Sequence, residues 1–287
     1  MKILIIGSGH VGKALAKRLR EKGHTVTSTT TTQEKVANLK KYADEVVVLT
    51  GAETDKVIAA AADCDAIVVT VAPNVKNTRT VEERHFHYHE TLVKSCTSAA
   101  AACDNIVFCS STSVYGDGGD GDGPITEQTP TANHDEPSSK YYQQAEQEIL
   151  GNAGGCVLRC PDMYGAPGDI DFPQRVKMAH DYFGGKAIFN GDSPLYCIHF
   201  EDVVEVVYHA LTKPLSGIYN VCDNDITPYN VKQIFDAICD EKDWDRLEYL
   251  DQIKIPNRKI SSQKLYDSGY KVYHGDPNAA VVERAQS

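Results

Sequence analysis

The chain has 287 residues, is 41% hydrophobic and 24% charged, and carries a net charge of −11 at pH 7. That length buries a full core in one large domain or in one and a half, and the composition is that of a globular protein, not a disordered one. The acidic balance argues against a nucleic-acid partner, which needs a basic stripe to meet phosphates, and no apolar run approaches the ~20 residues of a membrane-spanning helix.

The chain opens on Ile3 to Ile6, a continuous apolar run of the kind found in parallel strands buried on both faces. Gly7, Gly9 and Gly12 follow at G-x-G-x-x-G spacing. Val11, Leu15 and Leu19 then recur at helical spacing, with Lys13, Lys17, Arg18 and Arg20 on the wet side. Each glycine has a physical task. The first permits the tight turn, the second lets the backbone approach a pyrophosphate, and the third lets the helix pack closely on the strand. The helix N-terminus adds free N–H groups and a positive dipole end. Gly7, Ser8, Gly9, His10, Val11 and Gly12 are therefore the expected seat of a dinucleotide, and their place between strand and helix makes the motif specific.

A second strand, Thr25 to Ser28, leads to Thr30, Thr31 and Thr32. An acidic residue at this strand end would bind the ribose 2′-hydroxyl of NAD. Hydroxyls stand there instead, with no carboxylate to repel a 2′-phosphate and no arginine to clamp one. NADP is expected in preference to NAD. Further strands are predicted at Val46–Leu49, Ala66–Val71, Ile106–Cys109, Val157–Arg159 and Ile218–Val221. Helices are predicted around Gln33–Tyr42, Thr54–Ala62, Val81–Ala102, Ser139–Leu150 and Asp202–Leu211. This alternation implies an α/β fold, a Rossmann-type doubly wound parallel sheet with helices on both faces. After Arg159 the regularity fades, which places a smaller substrate-binding region there. The expected division is 1–160 with 198–222 returning to it, against 161–197 and 223–287.

Three clusters invite plainer readings. His85 and His89 share a helical face while His87 does not, so no metal site is expected. The loop with Asp117, Asp120 and Asp122 lacks the first aspartate and the twelfth-position glutamate of a calcium loop, and reads as a mobile acidic flap. The cysteines number nine and include no C-x-x-C pair. They read as small buried hydrophobes of a cytoplasmic protein, Cys160 included.

The run FCSSTSVYG, Phe108 to Gly116, resembles the strand-end signature of the extended short-chain dehydrogenase/reductase family, its epimerase/dehydratase-like branch. VLRCPDMYG (Val157–Gly165), IHFEDVVEVVYHAL (Ile198–Leu211), GIYNVCDNDITPYNVKQIFDAI (Gly217–Ile238) and NRKISSQKLYDSGY (Asn257–Tyr270) are similar to later segments of that branch. The resemblance implies that Val71, Ala72 and Pro73 line the cofactor, that Pro161 passes near the nicotinamide, and that Ser110 lies with them. It also implies that Ser111 is the active-site Ser/Thr, with Thr112 and Ser113 beside it. Hydroxyls there polarise a carbonyl or hold an alcohol, or they merely satisfy a strand end.

One departure is consequential. The family's Tyr-x-x-x-Lys pair falls on Ser138 and Tyr142, while Tyr182 and Lys186 have the spacing but lie beyond the last strand of the sheet. The chain thus resembles the atypical members that lack the pair. Tyr142 is left to bind a ribose, to donate a proton, or to pack. The resemblance implies redox or epimerase-like chemistry on a small polar substrate. Alternatives are a catalytically silent dinucleotide sensor or scaffold, a non-redox isomerase or lyase, and an RNA-binding relative, which the acidic charge disfavours. Asp169 and Asp171, where many relatives place arginine, weaken the case for a nucleotide sugar.

Overall fold

A computed structural model describes residues 1–74 and 78–286. The chain divides into two compact units, one made of 1–114, 133–160 and 200–219, the other of 115–132, 161–199 and 220–287. The first unit's elements begin with β1 (Lys2–Ile6), α1 (His10–Glu21), β2 (Thr25–Thr30), α2 (Val36–Leu39), β3 (Glu45–Val48), α3 (Thr54–Ala61) and β4 (Ala66–Val69). They continue with α4 (Val81–Tyr88), α5 (Lys94–Ala102), β5 (Asn105–Ser111), α6 (Pro137–Leu150) and β6 (Gly154–Cys160). After β7 (Asp162–Tyr164), α7 (Phe172–Phe183), β8 (Lys186–Phe189) and β9 (Cys197–His199), the chain returns through α8 (Phe200–Thr212) and β10 (Gly217–Asn220).

Seven strands form one sheet in the order β10-β6-β5-β4-β1-β2-β3, and β1 pairs in parallel with both β2 and β4. The order reverses direction between β1 and β4, and ligands of open α/β sheets bind in the crevice at such a point, beyond the carboxyl ends of the strands. The apolar run of β1 explains its central place, since Ile3, Leu4, Ile5 and Ile6 are all buried. One face packs Leu4, Ile6, Ile67, Val69, Phe108 and Val157 against helix residues such as Val57, Cys96 and Ala145. On α1, Leu15 and Leu19 are buried, and Arg18 pairs with Glu205 of α8 at 2.8 Å.

Two predicted helices differ from expectation. The stretch Val81–Ala102 is not continuous, because a π-helical turn at His89–Val93 separates α4 from α5. Such a turn carries one extra residue and rotates the helix beyond it, and it is a common feature near functional sites. The stretch Gln33–Tyr42 shrinks to a 3-10 turn at Gln33–Lys35 followed by α2.

The second unit is completed by α9 (Val231–Lys242), β11 (Glu248–Ile253), α10 (Gln263–Asp267) and α11 (Ala279–Ala285). Its strands pair as β8 with β11 and β7 with β9, both parallel. Its core joins Phe172, Val176, Ile234, Phe235, Ile238 and Val282. Both long helices start on capping boxes, Asp171 with Gln174 and Asn230 with Gln233. The segment 115–132, expected in the first domain, belongs to this unit because Ile125 bridges to Ile260 and Arg258 holds the neighbouring loop. Among the described residues no helix is long and apolar enough to cross a membrane.

Candidate functional site

The glycine turn leaves β1 and enters α1. Gly7 has φ +106°, and a Cβ there would lie 2.8 Å from the Val71 nitrogen. That position needs glycine for both conformation and space. A Cβ on Gly12 would run into the Gly7 carbonyl oxygen, so Gly12 lets the helix close onto the turn. Gly9 is different. A Cβ on it would meet nothing within 4 Å. Gly9 is also the N-cap of α1 and caps no N–H with a side chain, which leaves the first-turn N–H groups around His10 and Val11 available to an anion.

The turn is locked from three sides. Ser8 Oγ donates to the Thr29 carbonyl at 2.7 Å, and Gly7 N–H donates to Thr29 Oγ1 at 3.2 Å. Thr70 Oγ1 donates to the Gly7 carbonyl at 2.6 Å. The close approach of Gly7 to Val71 brings the segment Val71, Ala72 and Pro73 to the expected crevice edge. Sequence reasoning missed Thr70, whose signal was only its place just after a buried strand.

At the end of β2, the Thr30 hydroxyl is spent locally. It donates to the Thr32 carbonyl at 3.3 Å and accepts from Thr32 N–H at 3.4 Å. Thr30 is buried, and Thr31 is exposed. No carboxylate stands among the three.

The hydroxyl cluster follows β5. Ser111 Oγ accepts from Ser113 N–H at 3.1 Å, and Ser138 Oγ, from the first turn of α6, donates to Ser113 Oγ at 2.7 Å. The segment's loop path is long, yet these serines meet. Ser110 does something else. Its hydroxyl donates to Glu146 at 2.6 Å, and Glu146 in turn receives Arg159 at 2.6 Å and 3.0 Å. Ser110, Glu146 and Arg159 are each at most 5% exposed, so the Ser110 side chain is committed to a buried ion pair. Thr112 is buried too.

Of the roles left open for Tyr142, its surroundings favour packing, and the side chain is half-buried against the core. Its ring stacks on Phe108 with centroids 6.1 Å apart. Burial, together with Tyr88 and the thiols of Cys109, Cys160 and Cys96, pushes its phenol well above the ordinary tyrosine range. A desolvated phenol with no cation beside it is a poor proton-transfer group. Cys160 is buried, as expected.

Beside the serines the histidine pair read from the sequence joins aromatic and ionisable side chains that the sequence did not single out. His85 Nδ1 lies 3.2 Å from the Tyr141 hydroxyl, and the rings of His85 and His89 sit 5.6 Å and 5.9 Å from that of Tyr141. The shared face read for this histidine pair is thus occupied by a phenol, while His87 is exposed. Tyr88 stacks on the same ring at 6.4 Å. Its phenol is pushed up by burial and by Glu136, and is drawn down by the Arg84 charge and the Ser138 hydroxyl. Asp135 is held low by Lys140, its partner at 2.6 Å.

The remaining candidates belong to the second unit. Pro161 is its first residue after β6. The acidic loop is not a free flap, since Arg258 donates to the Gly119 and Gly118 carbonyls at 2.6 Å and 2.8 Å. Asp169 accepts from Ala166 N–H at 2.9 Å and Asp171 caps α7. Both residues also line the cavity of this unit. Tyr182 is exposed on α7, and Lys186 opens β8. A cavity of about 360 Å³ in this unit is lined by Tyr164, Ile170, Phe172, Ile238, Asn278 and Arg284 among others.

The protein YeeZ of Escherichia coli K12 is 29% identical over 227 residues, which cover 77% of each chain. The enzyme WbmG of Bordetella bronchiseptica, solved in complex with NAD, superposes with a TM-score of 0.75 at 16% identity, over 99% of this chain and 93% of that one. A dTDP-glucose 4,6-dehydratase of Bacillus anthracis, also solved with NAD, gives 0.70 at 18% identity over 100% and 96%. At such identities these structures show a common fold. The model of the NAD dependent epimerase/dehydratase family matches residues 3–222, and with most of the seven-stranded unit inside that match, the chain belongs to this family.

Proposed function

We propose that the chain binds a nicotinamide dinucleotide at the carboxyl ends of β1 and β4 and performs oxidoreductase or epimerase-like chemistry on a small polar substrate. The observation that carries this reading is the open space over Gly9 beside the uncapped start of α1. A pyrophosphate fits there, held by backbone N–H groups and the helix dipole. The dinucleotide supplies hydride exchange. The chain's own residues orient the reacting oxygen, with Ser111 and Ser113 offering hydroxyls to a carbonyl or alcohol. The relatives solved with NAD support the cofactor class, and the buried thiols of Cys96, Cys109, Cys156 and Cys222 suit the reducing cytoplasm.

NADP is the favoured form, because Thr30, Thr31 and Thr32 present no carboxylate to a 2′-phosphate. Calorimetric titration of NADPH and NADH tests this directly. NADPH binds more tightly to the wild type, and Thr30→Asp reverses the order by repelling the 2′-phosphate. Tighter binding of NADH to the wild type contradicts the assignment.

A second reading, a silent dinucleotide sensor, is favoured by Tyr142 packing where the resemblance would place a lysine. The two readings separate on redox turnover. Bound NADPH is oxidised when a panel of small carbonyl compounds and sugars is supplied to an enzyme, and stays reduced in a sensor.

A further inference from the structure

We propose that this reaction centre takes an anionic substrate, whose carboxylate or phosphate group is received by the Arg84 guanidinium. The inference rests on the serine cluster being the reaction centre. Arg84 lies in the first turn of α4, half-buried. Its Nε is buried with no hydrogen-bond partner, and among the described residues no carboxylate pairs with its guanidinium.

The nearby acids are engaged elsewhere. Glu83 accepts from Arg79 N–H at 2.7 Å, Asp135 holds Lys140, and Glu136 caps α6 by accepting from Ser139 N–H at 2.9 Å. A buried Nε–H with no acceptor is an unsatisfied donor, which disfavours folding. A bound anion supplies the missing partner, and the planar fork of arginine matches carboxylate and phosphate alike.

Position points the same way. α4 is entered from the carboxyl end of β4, the end at which sheets of this kind bind ligands. Arg84 and Tyr88 are four residues apart and share a helix face. The Tyr88 phenol lies within the influence of both Arg84 and the Ser138 hydroxyl, and Ser138 reaches Ser113 at 2.7 Å. Arg84 and Tyr88 thus share one face of α4, and Ser138 and Ser113 lead on towards Ser111, whose Oγ accepts from Ser113 N–H. An anionic group on Arg84 would leave the neighbouring alcohol or carbonyl of the same small molecule facing the serines.

The test uses malonate and inorganic phosphate as probes, each titrated into the full chain with and without saturating NADPH. The Arg84 Nε–Hε resonance and the Tyr88 and Ser138 amides are followed by NMR. One of the probes moves these three signals, and the tighter of the two identifies the group as carboxylate or phosphate. Arg84→Gln weakens that probe at least ~10-fold, the loss of one charge-assisted contact, and Arg84→Lys, which keeps charge without the fork, falls between. The melting temperature of Arg84→Gln does not drop below wild type, because the substitution removes a buried Nε–H that no protein group accepts. Equal probe affinity in Arg84→Gln, or shifts confined to the glycine turn, overturns the proposal. So does a lowered melting temperature with no change in probe binding, which assigns Arg84 to packing. Failure of NADPH to bind counts against the dinucleotide reading instead, and the probe titration of the free protein still decides the role of Arg84.

Discussion

The glycine turn and the serine cluster lie at the ends of strands of one sheet, with β4 between β1 and β5, yet they are built in opposite ways. The turn works through what it lacks. Gly7 and Gly12 have no room for a side chain, Gly9 leaves space for a ligand, and backbone N–H groups do the binding. The cluster works through what arrives. Ser138 comes from α6 to meet Ser113, while Arg84 and Tyr88 come from α4. A site made of backbone keeps its form as long as the glycines stay. A site made of side chains changes character when one of them is exchanged.

That contrast is sharpest within the glycine motif itself. Gly12→Val forces a branched side chain into the Gly7 carbonyl and should cost about 3–5 kcal/mol of stability, read by urea denaturation. Gly9→Val points into open space. It should leave the melting temperature within about 2 °C of wild type while weakening dinucleotide binding at least ~100-fold, or about 2.7 kcal/mol. If Gly9→Val binds the dinucleotide normally, the open space is not the pyrophosphate seat.

On the serine side the effects are smaller. A double-mutant cycle of Ser113→Ala and Ser138→Ala should show a coupling energy of about 1 kcal/mol in stability, the worth of one hydrogen bond. Additive losses would mean that the two hydroxyls do not depend on one another. Tyr142→Phe should change least, within about 0.5 kcal/mol, because its ring already packs on Phe108 and its phenol is desolvated. A large loss of turnover in Tyr142→Phe would assign that phenol a chemical role instead of packing.

The sequence revealed elements wherever burial was written as an unbroken run. Ile3–Ile6, Ala66–Val69 and Ile106–Cys109 are apolar because both faces of the sheet are covered, so the strands and their parallel order followed. The π-helical turn at His89–Val93 escaped because polar residues on both sides hide the extra residue from a periodicity reading. The placement of 115–132 depends on partners more than 100 residues away, Ile260 and Arg258, which local spacing does not encode. Arg84 gave no signal at all. A charge on a polar helix face is ordinarily solvated, and only the packed structure shows it half-buried and unpaired. The commitment of Ser110 to Glu146 and Arg159 was equally invisible, since its serine neighbours carry the same chemistry in sequence.

The most direct test of the account is a crystal structure of the chain with NADPH. The account places the pyrophosphate against the N–H groups that follow Gly9, with the nicotinamide ring reaching the Ser111 and Ser113 hydroxyls. A dinucleotide bound with its pyrophosphate away from Gly9, or with its nicotinamide turned from the serines, would contradict it.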